Sequence, residues 1–175
     1  MARPYIVTAA LPDGIQHWAN ALREEHFPVE RNHLHAHVTL FHSFAPSLFE
    51  ELRTYLPKIT AEYAPVTAEI SGIMDLGKGT AIKLYSPALL DIRAEIAEHF
   101  HGYLTDQDLH EPRLHITIQN KVTKEEARAL QAALIPQIEP RAFHFPALEL
   151  HIYQGGPWEF VKRSAFRGKA KPQAR

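Results

Sequence analysis

His37 and Thr39 stand two residues apart in His37-Val38-Thr39-Leu40, and His115 and Thr117 repeat the arrangement in His115-Ile116-Thr117-Ile118. An imidazole exchanges a proton near neutral pH, since its ordinary pKa is about 6.5. A hydroxyl two residues on can donate a hydrogen bond to an oxygen that gathers charge. Cleaving a phosphodiester needs a base for the nucleophile, an acid for the leaving oxygen, and donors for the phosphoryl oxygens. One neutral and one protonated imidazole fill the two proton roles, each adding roughly 10²–10⁴-fold in typical enzymes. Two threonines fill the third. The chain offers no obvious carboxylate cluster for a magnesium pair. A 2′,3′-cyclic phosphate suits this set, because its ring presents one leaving oxygen and an open side for attack. The spacing alone leaves the two histidines interchangeable as acid and base.

Each pair must sit on a strand for this to work. Val38 and Leu40 alternate with His37 and Thr39, and Ile116 and Ile118 alternate with His115 and Thr117, so the polar members share one face and the apolar ones face a core. Tyr5 to Leu11 reads as a first strand closed by Pro12. Asp13 is placed to N-cap a helix to about Glu25, with Ile15, Trp18, Ala19 and Leu22 on one face. The first motif strand runs to about Ser43. A second helix opens at Pro46-Ser47 and extends to about Tyr63 with Leu48, Phe49, Leu52, Leu56 and Ile59 inward; Pro57 should end or kink it. Val66–Met74 and Thr80–Tyr85 form a strand pair around a turn at Gly77 and Gly79. Ser86-Pro87 starts a third helix, and Thr123 with Glu126 makes a capping box for a fourth. The last strands are 143–153 and 159–166. The order is β-α-β-α-β-β-α-β-α-β-β, which reads as a weak duplication with one motif strand per half.

The two motifs resemble those of the two-histidine (2H) phosphoesterase superfamily, which includes 2′-5′ RNA ligase-like proteins and cyclic phosphodiesterases. The order of elements extends the resemblance over most of the chain. Two departures are local. Many RNA ligase-like members follow the first motif with Phe-Leu-Gly, where this chain has Phe41-His42-Ser43-Phe44. They often flank the second histidine with Pro before and Arg after, where this chain has Leu114 and Gln119-Asn120-Lys121. The resemblance implies an α+β fold, bilobal, with two antiparallel sheets flanked by helices around a central cleft. It also implies catalytic roles for His37, Thr39, His115 and Thr117, and a small nucleotide or RNA end carrying a cyclic phosphate as partner. No cofactor is expected, and a monomer is.

Further cleft candidates are Tyr5, Phe41 and Tyr153, which could stack on a base, Gln119, which continues the His115 face, and Lys83, which could meet phosphate. Lys121 is a weaker case of the same kind. His33, His35 and His37 share a face on a continuous strand, and such spacing can chelate zinc or copper, so a metal-binding protein is one competing reading. A module that holds RNA ends or nucleotides without turnover, or one that ligates RNA, is the other. His42 falls on the face opposite His37 unless the strand bulges. The remaining histidines, His151 among them, are expected in solvent.

The chain has 175 residues, with 45% apolar and 22% charged side chains, ordinary values for one soluble domain. It holds no cysteine, so neither a disulfide framework nor a thiolate metal site is available. No apolar run is long enough to cross a bilayer, and no secretion signal is read at the N-terminus, so the cytoplasm is the expected location. All 20 acidic residues lie at or before Glu159 and six of the 19 basic residues lie after it, so residues 1–161 carry a net −7. That excludes a broad duplex-coating surface and still permits a small phosphate site. Residues 1–167 are expected to form the bilobal domain, and 168–175 a basic, frayed tail.

Overall fold

The computed structural model describes residues 2–172. Eight strands and four helices follow in the order β1 (Tyr5–Ala9), α1 (Asp13–His26), β2 (Val38–Phe44), α2 (Phe49–Glu62), β3 (Val66–Asp75), β4 (Thr80–Tyr85), α3 (Pro87–His99), β5 (His115–Gln119), α4 (Lys124–Leu134), β6 (Arg141–Phe145), β7 (Ala147–Tyr153) and β8 (Trp158–Ala165). The strands form two antiparallel four-stranded sheets, ordered β2-β1-β7-β8 and β5-β4-β3-β6. This is the expected α+β architecture with two sheets flanked by helices.

The two motif strands are the first edges of their sheets, which leaves each with one side open to the other lobe. In β3, Val66, Ala68 and Ile70 are buried while Thr67, Glu69 and Ser71 are exposed, the alternation of a sheet with one wet face. The inward residues of both sheets and of all four helices join in one core, from Val7 and Leu40 to Ile82, Ile116 and Phe145. Among the described residues, no helix is long and apolar enough to cross a membrane.

Several local expectations hold. The Ser86 hydroxyl accepts the Leu89 N–H with Pro87 as first helical residue, the Thr123–Glu126 capping box is complete, and Gly77 turns at φ 83° with its N–H donated to Asp75. Others need correction. Asp13 is the first residue of α1 rather than its cap; Pro12 stands at the cap position. Pro57 does not end α2, which continues to Glu62. Burial of Leu52, Leu56 and Ile59 on one face holds the helix together across the missing N–H, a defect of roughly 3 kcal/mol in an isolated helix. The expected strand 143–153 is two strands. It breaks at Pro146, which cannot donate to a ladder, and the chain passes there from β6, paired with β3, to β7, paired with β1.

The expected frayed tail is docked over its first residues. Gly168 donates its N–H to the Tyr63 carbonyl, Ala170 donates to the Glu62 carbonyl, and Ala64 donates to the Ala170 carbonyl, all around the C-terminal end of α2. A side chain at position 168 would collide with the Glu62 backbone, so glycine is required by close approach. Residues 173–175 lie outside the described residues. Deleting 173–175 should leave the melting temperature unchanged. Deleting 168–175 removes three backbone hydrogen bonds at about 0.5–1.5 kcal/mol each and should lower it by several degrees, measured by thermal denaturation.

Candidate active site

Helix α1 presents a polar row along one side, and that row sets both motifs in place. Gln16, Asn20 and Arg23 follow at intervals of four and three residues, which is one helix face. The Gln16 amide donates to the Ala36 carbonyl at 2.8 Å, and the Asn20 side chain accepts the Ala36 N–H at 2.7 Å. The residue next to Ala36 is His37. Arg23 is buried, donates to Asn32 Oδ1 at 3.1 Å, and donates to the Thr117 carbonyl at 2.8 Å. One helix therefore holds the approach to the first motif and the backbone of the second. Apolar periodicity marks the core face of α1 and gives no sign of this polar one. Desolvation pushes the Arg23 guanidinium down to about 10, still a cation at neutral pH, and its charge is felt at His37.

His37, Thr39, His115 and Thr117 line one cleft of about 430 Å³, together with His42, Gln107, Pro112, Arg113 and Trp158. The two imidazoles are oriented alike. His37 Nδ1 lies 2.8 Å from the carbonyl of His35, and His115 Nδ1 lies 2.6 Å from the carbonyl of Arg113. A carbonyl only accepts, so each Nδ1 carries the hydrogen and each Nε2 is left to meet a ligand. The duplication read in the sequence thus extends to the hydrogen bond that orients each ring. His37 packs its ring 4.5 Å from that of Trp158. Its pKa is pushed down to about 4, by desolvation first, with the charges of Arg23, His151 and His115 adding to it. His115 is lowered as well, again by desolvation first.

These shifts make a stability prediction. A histidine that protonates at lower pH in the folded chain than in the unfolded one supports the fold fully above pH 6.5 and loses that support as pH falls toward its folded value. Urea unfolding should therefore show wild-type protein losing roughly 1–2 kcal/mol more than His37→Gln between pH 7.5 and 4.5, after allowance for the solvent contact of a half-buried ring. An equal loss in both proteins would contradict it.

His42 is a cleft residue that the strand pattern alone assigns to the wrong face. Thr8 of β1 pairs with Thr39, and Val7 pairs with Phe41, so β2 carries an extra residue between them. Leu40 and Phe41 are both buried in consequence, and His42 comes out on the Thr39 side. Two consecutive apolar residues in an otherwise alternating strand are the signal. Trp158, Gln107, Pro112 and Arg113 were also missed; only Arg113, two residues before His115, had a motif nearby to mark it.

The other candidates are placed elsewhere. Phe41 is fully buried beneath the Arg93 guanidinium, 4.2 Å above its ring. Gln119 is turned inward by a register shift between β4 and β5, and its side chain accepts the Thr80 hydroxyl at 2.9 Å. Tyr5 stacks on Phe49 at 5.1 Å. None of these three, nor Tyr153, lines the cleft. Lys83 lines a neighbouring groove of about 610 Å³ that meets the cleft at Pro112 and Arg113. That groove is the larger, but both motif histidines are in the smaller. His33 and His35 line a third hollow, which His37 also borders, with Thr8, His151, Trp158 and Phe160. His151 is half-buried there, 3.2 Å from the Thr8 hydroxyl, rather than solvated. Among the described residues, no three His, Cys, Asp or Glu side chains are grouped to hold a metal ion.

Comparison with known proteins bears on the fold and the family. No curated protein matches the chain. Solved structures do match its fold. TT0787 of Thermus thermophilus aligns with a TM-score of 0.65 at 12% identity, over 95% of this chain and 100% of that one. E. coli LigT complexed with 3′-AMP aligns at 0.60 and 14% identity, over 93% and 97%. A phosphoesterase aligns at 0.56 and 16% identity, over 94% and 98%. The family model of the 2′-5′ RNA ligase superfamily matches residues 11–157, a span that contains both His–Thr motifs, the whole of the β5-β4-β3-β6 sheet and two strands of the other, and the chain belongs to that superfamily.

Proposed function

We propose that this protein is a metal-independent phosphodiesterase that opens a cyclic phosphodiester, the 2′,3′-cyclic phosphate of an RNA end or a small nucleotide. The observation that carries this reading is the pair of imidazoles in one cleft, each with Nδ1 on a carbonyl and a threonine two residues beyond. LigT complexes with 3′-AMP, NADP+ and ATP support a nucleotide as the ligand class.

In this reading His37, packed against Trp158 and lowered by desolvation, enters neutral and acts as base. Its Nε2 takes a proton from water as the water oxygen bonds to phosphorus. The bond from phosphorus to one ribose oxygen breaks, and His115 Nε2–H gives that oxygen its proton. The product is a phosphomonoester with a free neighbouring hydroxyl. Returning one proton from His37 to solvent and one from solvent to His115 resets the pair. Thr39 and Thr117 donate to the two non-bridging oxygens, where charge grows in the transition state. A 5′-hydroxyl in place of water would join two RNA ends by the same proton transfers, and the family match favours ligation as the second reading.

The test is a panel of 2′,3′-cyclic nucleotides, 2′-5′-linked dinucleotides and RNA ends, with EDTA present. Turnover of the cyclic phosphates in EDTA is expected. Nucleotide binding without turnover would reduce the protein to a binding module. Activity lost in EDTA and restored by zinc would return the His33/His35/His37 reading.

A further inference from the structure

The cleft holds a third imidazole that the mechanism above does not use. His42 sits beside the catalytic pair because of the bulge in β2, and a buried carboxylate fixes its ring. Asp108, 1% exposed, lies on the short turn Gln107–Leu109 that precedes β5. Its two oxygens accept the His42 N–H at 2.9 and 3.0 Å and the Ser43 N–H at 3.0 Å. Oδ1 also accepts from His42 Nδ1 at 3.1 Å. The carboxylate therefore holds the ring with Nδ1 inward, and Nε2 is the nitrogen available to the cleft. The turn is itself anchored: Arg93 of α3 donates to the Asp108 carbonyl and, at 3.4 Å, to the Leu40 carbonyl. An exposed arginine, Arg113, lines the same cleft.

A lone cyclic phosphate leaves these two groups without work. The attacking oxygen is served by His37, the leaving oxygen by His115, and the two non-bridging oxygens by Thr39 and Thr117. His42 Nε2 and the Arg113 side chain line the same cleft and serve none of these oxygens. With Asp108 at Nδ1 and a phosphate at Nε2, an imidazolium donates from both nitrogens. Arg113 adds a planar, permanently charged fork suited to phosphate.

We infer that His42, oriented by Asp108, and Arg113 form an anion subsite for a second phosphate, so that the substrate class is a nucleotide carrying a phosphomonoester in addition to the scissile cyclic diester. The inference rests on the proposed phosphodiesterase reading for the place of the first phosphate. Asp108 is a positioning residue here and His42 a binding one.

Calorimetric binding on the full chain tests the subsite without relying on turnover. The probes are adenosine 2′- and 3′-monophosphate and the corresponding 2′,5′- and 3′,5′-bisphosphates. Wild-type protein should bind the better bisphosphate at least about tenfold tighter than its monophosphate, the scale of one charge-assisted contact. In His42→Gln that ratio should fall to near one. Arg113→Gln, an exposed position whose replacement leaves the core untouched, should lower the ratio too and covers the case in which His42→Gln does not fold. A wild-type ratio near one, or a ratio retained in both variants, overturns the subsite. A strong bisphosphate preference lost in the variants, in a wild-type protein that turns over no cyclic phosphate, upholds the subsite and sinks the catalytic reading instead. Turnover of 2′,3′-cyclic AMP with no bisphosphate preference does the reverse.

Discussion

Replacing either His37 or His115 with alanine should cut turnover of a 2′,3′-cyclic nucleotide by at least about two orders of magnitude, within the range of a positioned acid or base. The two losses should be alike in size, because the rings are set alike. Each comes from a different sheet, each is turned by a hydrogen bond to the carbonyl two residues before it, and each lines the same cleft. The double variant should be little worse than the worse single one, since groups that act as one unit are not additive. Thr39→Val and Thr117→Val keep the shape and remove one donor each, so each should cost less than its histidine. Steady-state kinetics of the five variants measures the whole set. Near-wild-type turnover in either histidine variant would mean that the matched motifs are not an acid and a base.

Asp108→Ala is expected to be the most damaging single change to the fold near the site. Burial alone would raise the Asp108 carboxyl, but the hydrogen bonds from the His42 ring, the His42 N–H and the Ser43 N–H together hold it below the ordinary carboxylate value. Alanine would leave both backbone donors at the bulge unsatisfied, at roughly 1–3 kcal/mol for each buried group. A loss of about 2–4 kcal/mol should follow, which for a chain of this size lowers the melting temperature by roughly 5–15 °C. Asp108→Asn keeps an acceptor oxygen and should lose less. If alanine melts with the wild type, β2 holds its bulge without the turn that carries Asp108.

The parts of the site legible in the sequence were those written in local pattern. Each motif is a tetrapeptide whose alternation names its own wet face, and the caps at Ser86 and Thr123 are set by residues three apart. What could not be read depends on partners far along the chain. The bulge that brings His42 into the cleft exists because Val7 and Thr8 take Phe41 and Thr39 as neighbours. Its ring is fixed by a carboxylate 66 residues away. Trp158 reaches His37 from the far end of the same sheet, through β8, β7 and β1. Gln119 looked like a third member of the His115 face, and a single register shift buried it. Pro146 was a local signal that was passed over, for a proline in a long strand argues for a break. Pro57 was the opposite case, a breaker overruled by the burial of its helix.

The most direct test of the central claim is the pH dependence of kcat/KM for 2′,3′-cyclic AMP in the presence of EDTA, in the wild type and in the two single histidine variants. Both rings titrate below the ordinary histidine value in the free protein, His37 at about 4 and His115 also lowered. The base must be neutral and the acid protonated, so the wild-type profile should be a bell with its maximum below about pH 6.5, the ordinary histidine value. Its limbs belong to the coupled pair rather than to single residues. Each variant keeps one imidazole, so each should lose the bell and retain one limb, on a residual rate at least about a hundredfold lower. A bell that persists in either variant, or a wild-type rate that EDTA abolishes, would contradict the paired-imidazole mechanism.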